Sequence, residues 1–253
     1  MRLTTVGTGT AAPSPHRVQS GHLVHAGATT LLLDCGSGIA HRMAALGIRW
    51  QDVTHVALSH FHADHTLDLA TLMYAWRYGE LPPRSTPLTL IGPPGTVTLL
   101  DRMATAFGET VRAPGFPLEI RELASGERTL LGDVALEARK VPHTEESVAY
   151  AVEHEGARLV YSGDTAYDES FAAWAEGCDL LLLECSLPDA FAVPTHLTPR
   201  QCGALAERAH PRSLVLTHFY PPVERVDIRA EVGERFGGAV ELAHDGWSGA
   251  VAR

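Results

Sequence analysis

The chain has 253 residues, of which 45% are apolar, and its formal net charge at pH 7 is −10. This length is sufficient to bury a substantial core, and we predict a single domain that spans residues 1–253. No apolar run approaches the roughly 20 residues that a membrane span needs, and the first residues lack the apolar segment of a signal peptide, so we expect a cytoplasmic protein with no membrane partner. The acidic balance argues against a broad basic surface for nucleic acid.

The first half of the chain has the pattern of strands separated by turns. The stretches MRLTTVG, HLVHAGATTLLLDCG, VTHVALS and PLTLIG each join a β-rich apolar run to a Gly, Ser or Pro break. A helix is predicted to start near Thr66, because TLDLATLMYAWRYG puts Leu69, Leu72, Met73 and Trp76 on one face before the LPP stop. We expect this face to belong to the core.

The second half predicts strands mixed with helices. The stretches LGDVALEARKV, SVAYAVEH, ARLVYSG and CDLLLLECS are typical of strands. TPRQCGALAERAH predicts a helix with Thr198 as its N-cap and Pro199 at its first position. No two cysteines form a CxxC pair, so we expect reduced thiols in the core at Cys35, Cys178, Cys185 and Cys202.

The segment SHFHADH, residues 59–65, concentrates metal-binding side chains directly after an apolar run. In an extended chain His60 and His62 project to the same side, whereas Phe61 is expected to turn into the core. If the strand ends and a turn begins here, Asp64 and His65 can face a second position beside the one that His60 and His62 face. The spacing therefore suggests two adjacent metal ions, each of which needs about four ligands including water.

Further candidate ligands stand at the ends of other predicted strands. His143 follows LEARKVP, Asp164 follows ARLVYSG and His218 follows SLVLT. Side chains at strand ends commonly form sites on a rigid sheet. A buried group of histidines and carboxylates without metal would cost several kcal/mol in desolvation, which favours the metal interpretation.

The motifs LSHFHADHTLDL, VPHT, YSGDT, LLLECS, THLTPRQCGALA and LVLTHF occur in this order and, together with GTGTAAPSPHRVQSGHLV and LLLDCGSG, span nearly the whole chain. Through these motifs and their order the sequence resembles the metallo-β-lactamase superfamily, and within it the ribonuclease Z-like phosphodiesterase branch. The resemblance implies an α/β fold, the four-layer αββα sandwich. It also implies one ion bound by His60, His62 and His143, a second bound by Asp64, His65 and His218, and a bridging Asp164.

Two divalent ions about 3.5 to 4 Å apart can present a bridging water as hydroxide, which indicates a metal-dependent hydrolase acting on ester bonds. Zinc suits these ligands best, although Mn²⁺, Fe²⁺ and Co²⁺ fit the same donors.

The resemblance also suggests residues that act on the substrate. Asp64 is a candidate catalytic residue as well as a ligand. His196, in THLT, resembles an extra histidine of ribonuclease Z-like enzymes that acts near the scissile phosphate, although it could instead only seat the helix at Thr198. Arg17 is a candidate phosphate contact, and Glu184 either supports His196 or is a structural acid.

The expected substrate is a small molecule or short phosphodiester, such as a cyclic nucleotide or short RNA. Ribonuclease Z carries its tRNA-gripping arm between the third-motif histidine and the bridging aspartate. Here His143 and Asp164 are only 21 residues apart (164 − 143), so structured tRNA is not expected.

Two other functions remain open from the sequence. One is a hydrolase of the same fold that acts on a carboxyl ester, lactone or organophosphate. The other is a noncatalytic metal-binding protein. By analogy with the family we also predict a homodimer, formed through the region of Tyr74 and Trp76.

Overall fold

A computed structural model describes all 253 residues of the protein. Two seven-stranded β-sheets pack face to face. The first sheet is antiparallel at one side and parallel at the other, and the second sheet is mixed in the same way. In spatial order the first sheet contains β14 (Trp247–Ala250), β1 (Arg2–Gly7), β2 (Gly21–Ala26), β3 (Thr29–Leu33), β4 (His55–Ala57), β5 (Leu88–Gly92) and β6 (Leu118–Glu122).

The second sheet has its parallel strands at the side where most of the later motifs lie. Its interior strand of sequence LLLLE is buried along its whole length, as expected for a parallel strand covered on both faces. In spatial order this sheet contains β13 (Ala239–Leu242), β12 (Ser213–Thr217), β11 (Leu180–Glu184), β10 (Ala157–Tyr161), β9 (Val148–His154), β8 (Val134–Lys140) and β7 (Arg128–Leu131).

Helices cover the outer face of each sheet, so that one apolar core lies between the sheets and one lies under each helical layer. The first layer contains α1 (Ile39–Ala45), α2 (Ala63–Thr66), α3 (Asp68–Tyr78) and α4 (Thr96–Phe107), and the second contains α5 (Glu169–Trp174), α6 (Pro199–Ala209) and α7 (Ile228–Gly233). The expected αββα sandwich is therefore confirmed. No helix combines the length and the apolar character that crossing a bilayer requires.

The predicted helices form, with one shift in position. The chain becomes helical at Ala63, so that Asp64 and His65 lie in the short helix α2 rather than in a turn. Thr198 caps α6 as predicted, since its hydroxyl accepts from the Gln201 N–H while the Gln201 side chain accepts from the Thr198 N–H. The four cysteines are buried free thiols.

Two predictions about aromatic side chains are wrong. Phe61 does not enter the core. It is half-buried against Gly95 and, with Pro94, Glu145 and Glu146, lines an open cavity of about 340 Å³. The ring lies beside Gly95, the residue before α4, instead of between the strands.

Trp76 cannot contribute to a dimer surface, because it is only 1% exposed. Its indole N–H donates to the Trp50 carbonyl at 3.0 Å, and its ring packs against Phe116. The apolar face of α3 is core, as predicted, and this face includes Trp76. Tyr74, on the same helix, is 38% exposed.

Candidate metal centre

All seven predicted metal ligands lie together at one edge of the sandwich, where strands of both sheets end. His60 and His62 follow β4 of the first sheet. The second sheet supplies the others: His143 follows β8, Asp164 follows β10 and His218 follows β12. The site therefore forms between the two sheets, from residues that are up to 158 positions apart in the chain (218 − 60).

Backbone geometry brings α2 close to the end of β3. The Cys35 N–H donates to the His65 carbonyl at 2.8 Å, and the Ser20 N–H donates to the Asp64 carbonyl at 3.1 Å. A Cβ atom at Gly36 would collide with the same Asp64 carbonyl oxygen, so glycine is required there. This close approach fixes the position of Asp64 and His65 relative to the sheet.

One group of ligand atoms is formed by three histidines and a carboxylate. His62 Nδ1 lies 3.0 Å from His60 Nε2 and 3.1 Å from His143 Nε2. Oδ2 of Asp164 lies 3.8 Å from His60 Nε2 and 3.7 Å from His143 Nε2. For ligand bonds of about 2.0 to 2.2 Å a tetrahedral site has ligand-to-ligand distances of about 3.3 to 3.6 Å, so the four atoms fit around one ion.

A second group of ligand atoms lies around the other oxygen of the same carboxylate. Oδ1 of Asp164 lies 3.2 Å from His65 Nε2 and 3.4 Å from His218 Nε2. Oδ2 of Asp64 is 3.5 Å from His218 Nε2 and 4.0 Å from His65 Nε2. Asp164 is buried, yet its Oδ1 accepts no hydrogen bond from the protein. A buried carboxylate oxygen in this condition is costly, and a cation beside it removes the cost.

The hydrogen bonds behind the histidines aim their free nitrogens at these two groups. Nδ1 of His143 donates to the Thr195 carbonyl at 2.8 Å, and Nδ1 of His65 donates to Asp34 at 2.7 Å. With the proton on Nδ1, each ring can present the lone pair of Nε2 to a metal ion. Lone pairs that face one another across about 3 Å repel unless a cation lies between them, so the donor set fits divalent metal ions.

The charges of these residues are largely those of metal ligands. Burial holds the pKa of His60 well below its usual value, and burial also lowers the pKa of His143, so both rings are neutral near pH 7. Burial acts to raise the pKa of Asp164, but His218 and His65 outweigh it and hold this pKa well below its usual value. His65 is the exception, because the carboxylates of Asp164 and Asp34 outweigh its burial and raise its pKa.

Asp34 holds His65 in place and was not singled out from the sequence. It is fully buried, and its Oδ2 accepts from His65 Nδ1, from the Ser59 hydroxyl and from the Tyr161 hydroxyl, each at 2.7 Å. Its backbone has a φ of 58°, directly after the end of β3, and His218 has a φ of 61° directly after β12. The only signal for Asp34 was a charged residue at the end of an apolar strand.

His196 and Glu184 come together beside the metal ligands. The two carboxylate oxygens of Glu184 lie 3.1 and 3.2 Å from Nδ1 of His196. Burial opposes charge on the ring, but the hydrogen bond and charge of Glu184 outweigh it and raise the pKa of His196 to about 9. The His196 ring stacks on that of His218 at 5.6 Å and lies 4.8 Å from that of His143.

Ser186 connects this pair to the metal ligands, and nothing in the sequence indicated it. Its hydroxyl donates to Glu184 and accepts from Nδ1 of His218 at 2.9 Å. Glu184 also accepts from the Thr165 N–H at 2.6 Å. Glu184 thus orients two histidines, one directly and one through Ser186.

Arg17 uses most of its donors within the protein. Its Nε pairs with Glu224 at 2.7 Å, and its Nη1 donates to the Thr8 hydroxyl and to the Ala243 carbonyl at 2.6 and 2.8 Å. The guanidinium lies over the ring of Phe219, which follows His218. These contacts fix the loop after β1, and a contact of Arg17 with substrate stays a prediction.

Tyr220 lies at the same edge of the site. Its ring is 5.9 Å from that of His218 and 6.1 Å from that of His196. Burial, together with the nearby Asp64 and Asp164, raises the pKa of Tyr220 to about 12, against the effect of a hydrogen bond with Thr10. The phenol is therefore a neutral donor near pH 7.

Comparison with known proteins agrees with this geometry. Residues 29–219 match the family described as Beta-lactamase superfamily domain. A ribonuclease Z from Mycobacterium marinum is 30% identical over 270 residues, covering 97% of this chain and 96% of the relative. The metallo-beta-lactamase fold protein YhfI from Bacillus subtilis superposes with a TM-score of 0.85 at 24% identity, with 98% of each chain covered. The short form of human tRNase Z superposes with a TM-score of 0.80 at 23% identity over the whole of both chains. The chain therefore belongs to the beta-lactamase superfamily, in its ribonuclease Z-like branch.

Proposed function

We propose that this protein is a binuclear metal-dependent phosphodiesterase and that residues 1–253 act as one hydrolase domain. The observation that carries the proposal is the pair formed by His196 and the buried Glu184, next to two groups of metal-ligand atoms that share Asp164. Metal ligands alone suit the hydrolysis of many esters. A charged imidazole beside them suits a reaction in which a leaving alkoxide needs a proton.

The two ions would be held by separate sets of residues that share one carboxylate, and zinc is the proposed metal. When bound, two divalent ions supply positive charge for phosphate oxygens and make water acidic enough to attack near neutral pH. The first would be held by His60, His62 and His143, the second by Asp64, His65 and His218, and Asp164 would contribute one oxygen to each.

His196 would give its proton to the leaving oxygen. Its Nδ1 is engaged by Glu184, so Nε2 is the ring atom available to a substrate. Its pKa of about 9 keeps the ring charged at neutral pH. Asp64 would assist as an ionised acceptor for the attacking water, because His218 and His65 outweigh its burial and hold its pKa below the usual range.

A small or short phosphodiester fits the chain better than structured tRNA. Between His143 and Asp164 the chain forms only a short loop and the hairpin of β9 and β10, which turns at Glu155 and Gly156. An arm that could grip tRNA has no segment to occupy there. The net charge of −10 also disfavours a large polyanion.

A carboxyl ester, lactone or organophosphate is the second candidate class of substrate. It is favoured by the internal contacts of Arg17, which leave few cationic donors for a phosphate at the site. Turnover of bis(p-nitrophenyl) phosphate should be compared with that of lactones, thioesters and aryl esters. Faster lactone cleavage would exclude the phosphodiesterase, and full metal occupancy without any turnover would indicate a noncatalytic metal-binding protein.

The proposed homodimer would use the exposed aromatic patch at the ends of α3 and α4. Tyr74, Tyr78 and Phe107 are 38%, 64% and 51% exposed, and the Tyr74 hydroxyl donates to the Phe107 carbonyl. Such a patch is costly to leave in water. Light scattering at micromolar concentration should give twice the 27.2 kDa of the chain, and a value of 27.2 kDa would refute the dimer.

A further inference from the structure

Tyr220 is hydrogen-bonded through its backbone, and its ring lies against two histidines of the site. Its N–H donates to the Ser186 carbonyl at 3.2 Å, and its own carbonyl accepts from the Val223 N–H at 3.0 Å. Its ring stands at 86° to that of His218 and at 68° to that of His196, so both imidazoles meet it edge to face. The ring of Tyr220 therefore lies beside the proposed proton donor.

The hydroxyl of Tyr220 differs from those of the two buried tyrosines nearby. Tyr150 donates to the Leu58 carbonyl and Tyr161 donates to Asp34, each at a normal distance. No carbonyl or carboxylate of the protein accepts from Tyr220. The ring of Tyr220 is half-buried, so its hydroxyl is not enclosed by the protein as those of Tyr150 and Tyr161 are. The phenolic proton remains available to a ligand.

Two other polar side chains near this edge already have partners within the protein. Arg17 donates to Glu224, Thr8 and Ala243, and Nδ1 of His196 is engaged by Glu184. A phosphodiester carries negative charge on its two nonbridging oxygens, and this charge is redistributed as the attacking and leaving oxygens exchange. A donor fixed beside the site in advance stabilises that charge without reorganisation.

We propose that the Tyr220 hydroxyl donates a hydrogen bond to a nonbridging oxygen of the scissile phosphodiester and is thus a catalytic residue alongside His196. This assignment rests on the proposed function. The proton stays on the phenol throughout, and no bond to Tyr220 is made or broken. Tyr220 would thus contact the phosphate, for which the sequence offered Arg17 as the candidate contact.

The test is Tyr220→Phe, which removes only the hydroxyl. We expect kcat/KM for phosphodiesters to fall about 10- to 100-fold, by the same factor for alkyl and p-nitrophenyl leaving groups, with bound metal unchanged. Affinity for orthovanadate, which can become five-coordinate on binding and then mimics the transition state of phosphoryl transfer, should fall with it. Tyr78→Phe is the matched control, because it removes an exposed hydroxyl on α3 and should change neither value.

Activity and vanadate affinity within twofold of the wild type would overturn the assignment. So would a loss of metal, which would show that Tyr220 only supports His218, or a defect confined to poor leaving groups, which would show that it acts through His196. If the wild type hydrolyses no phosphodiester, the proposed function fails, and vanadate affinity alone then decides whether Tyr220 binds a phosphoryl-like anion.

Discussion

Glu184 is fully buried and holds Nδ1 of His196 between its two carboxylate oxygens, at 3.1 and 3.2 Å. Glu184 raises the pKa of His196 to about 9. The ring therefore stays charged through neutral pH and loses its charge as pH rises through about 9. For substrates with poor leaving groups, kcat should fall over the same interval.

Glu184→Gln should move this fall to lower pH. The variant removes the charge that most favours the imidazolium, so its pKa returns towards the ordinary value of about 6.5. The measurement is a pH profile of kcat from about 5.5 to 10. Glu176→Gln, at an exposed glutamate, is the control and should keep the wild-type profile. Coincident profiles for the two variants would refute the coupling.

His196→Ala should keep the fold and the metal while lowering kcat about 10²- to 10⁴-fold on alkyl phosphodiesters. A p-nitrophenolate leaving group needs no proton, so the defect should largely disappear with bis(p-nitrophenyl) phosphate. Thr198→Ala removes the helix cap, at a cost of about 1 kcal/mol, and should leave kcat unchanged. If His196→Ala lost metal or kept full activity, the residue would only seat α6.

Asp164→Ala should remove metal and activity together. The carboxylate faces both groups of ligand atoms, so its loss leaves each of them short of one donor. Elemental analysis should give about two ions per chain for the wild type and a marked loss for the variant. Two retained ions with normal turnover would exclude the proposed bridge.

Asp34→Asn should weaken both stability and metal binding. An amide cannot replace the carboxylate oxygen that accepts from His65, Ser59 and Tyr161, so at least one buried donor loses its partner. We expect a loss of about 3 kcal/mol or more in the free energy of unfolding and a metal affinity lower by about 10- to 100-fold. Urea unfolding and chelator competition measure the two effects.

Tyr161→Phe is the comparison for Asp34→Asn. It removes one neutral donor to the same carboxylate and should cost about 2 kcal/mol, with metal affinity close to that of the wild type. Equal metal affinities for all three proteins would mean that Asp34 does not position His65.

The sequence predicted the parts of the fold and site that depend on local pattern. Apolar runs identified most strands, and polar side chains just after them, such as His143 and His218, identified the edge of the site. Weakly patterned strands such as β6, β7 and β13, which are half exposed, were not identified. Their positions depend on neighbouring strands rather than on their own composition.

Contacts between residues that are far apart in the chain could not be predicted from local sequence pattern. Arg17 meets Glu224, 207 positions away, and this contact rather than the residue type determines what Arg17 can bind. Ser186 and Asp34 matter because they hydrogen-bond Nδ1 of His218 and of His65. The packing of the strands brings these residues together. Phe61 was misplaced because alternation predicts the direction of a side chain but not the space available to it.

The two sheets contribute different ligands to each proposed ion, and this division couples metal binding to the packing of the whole sandwich. His60 and His62 belong to the first sheet, and His143 and Asp164 belong to the second. An ion bound to all four is a crosslink between two halves of the molecule that no disulfide joins. Since such an ion binds the assembled state alone, a free concentration 1,000 times its Kd would stabilise the fold by about 4 kcal/mol. The metal would thus stabilise the packing of the two sheets as well as take part in the reaction.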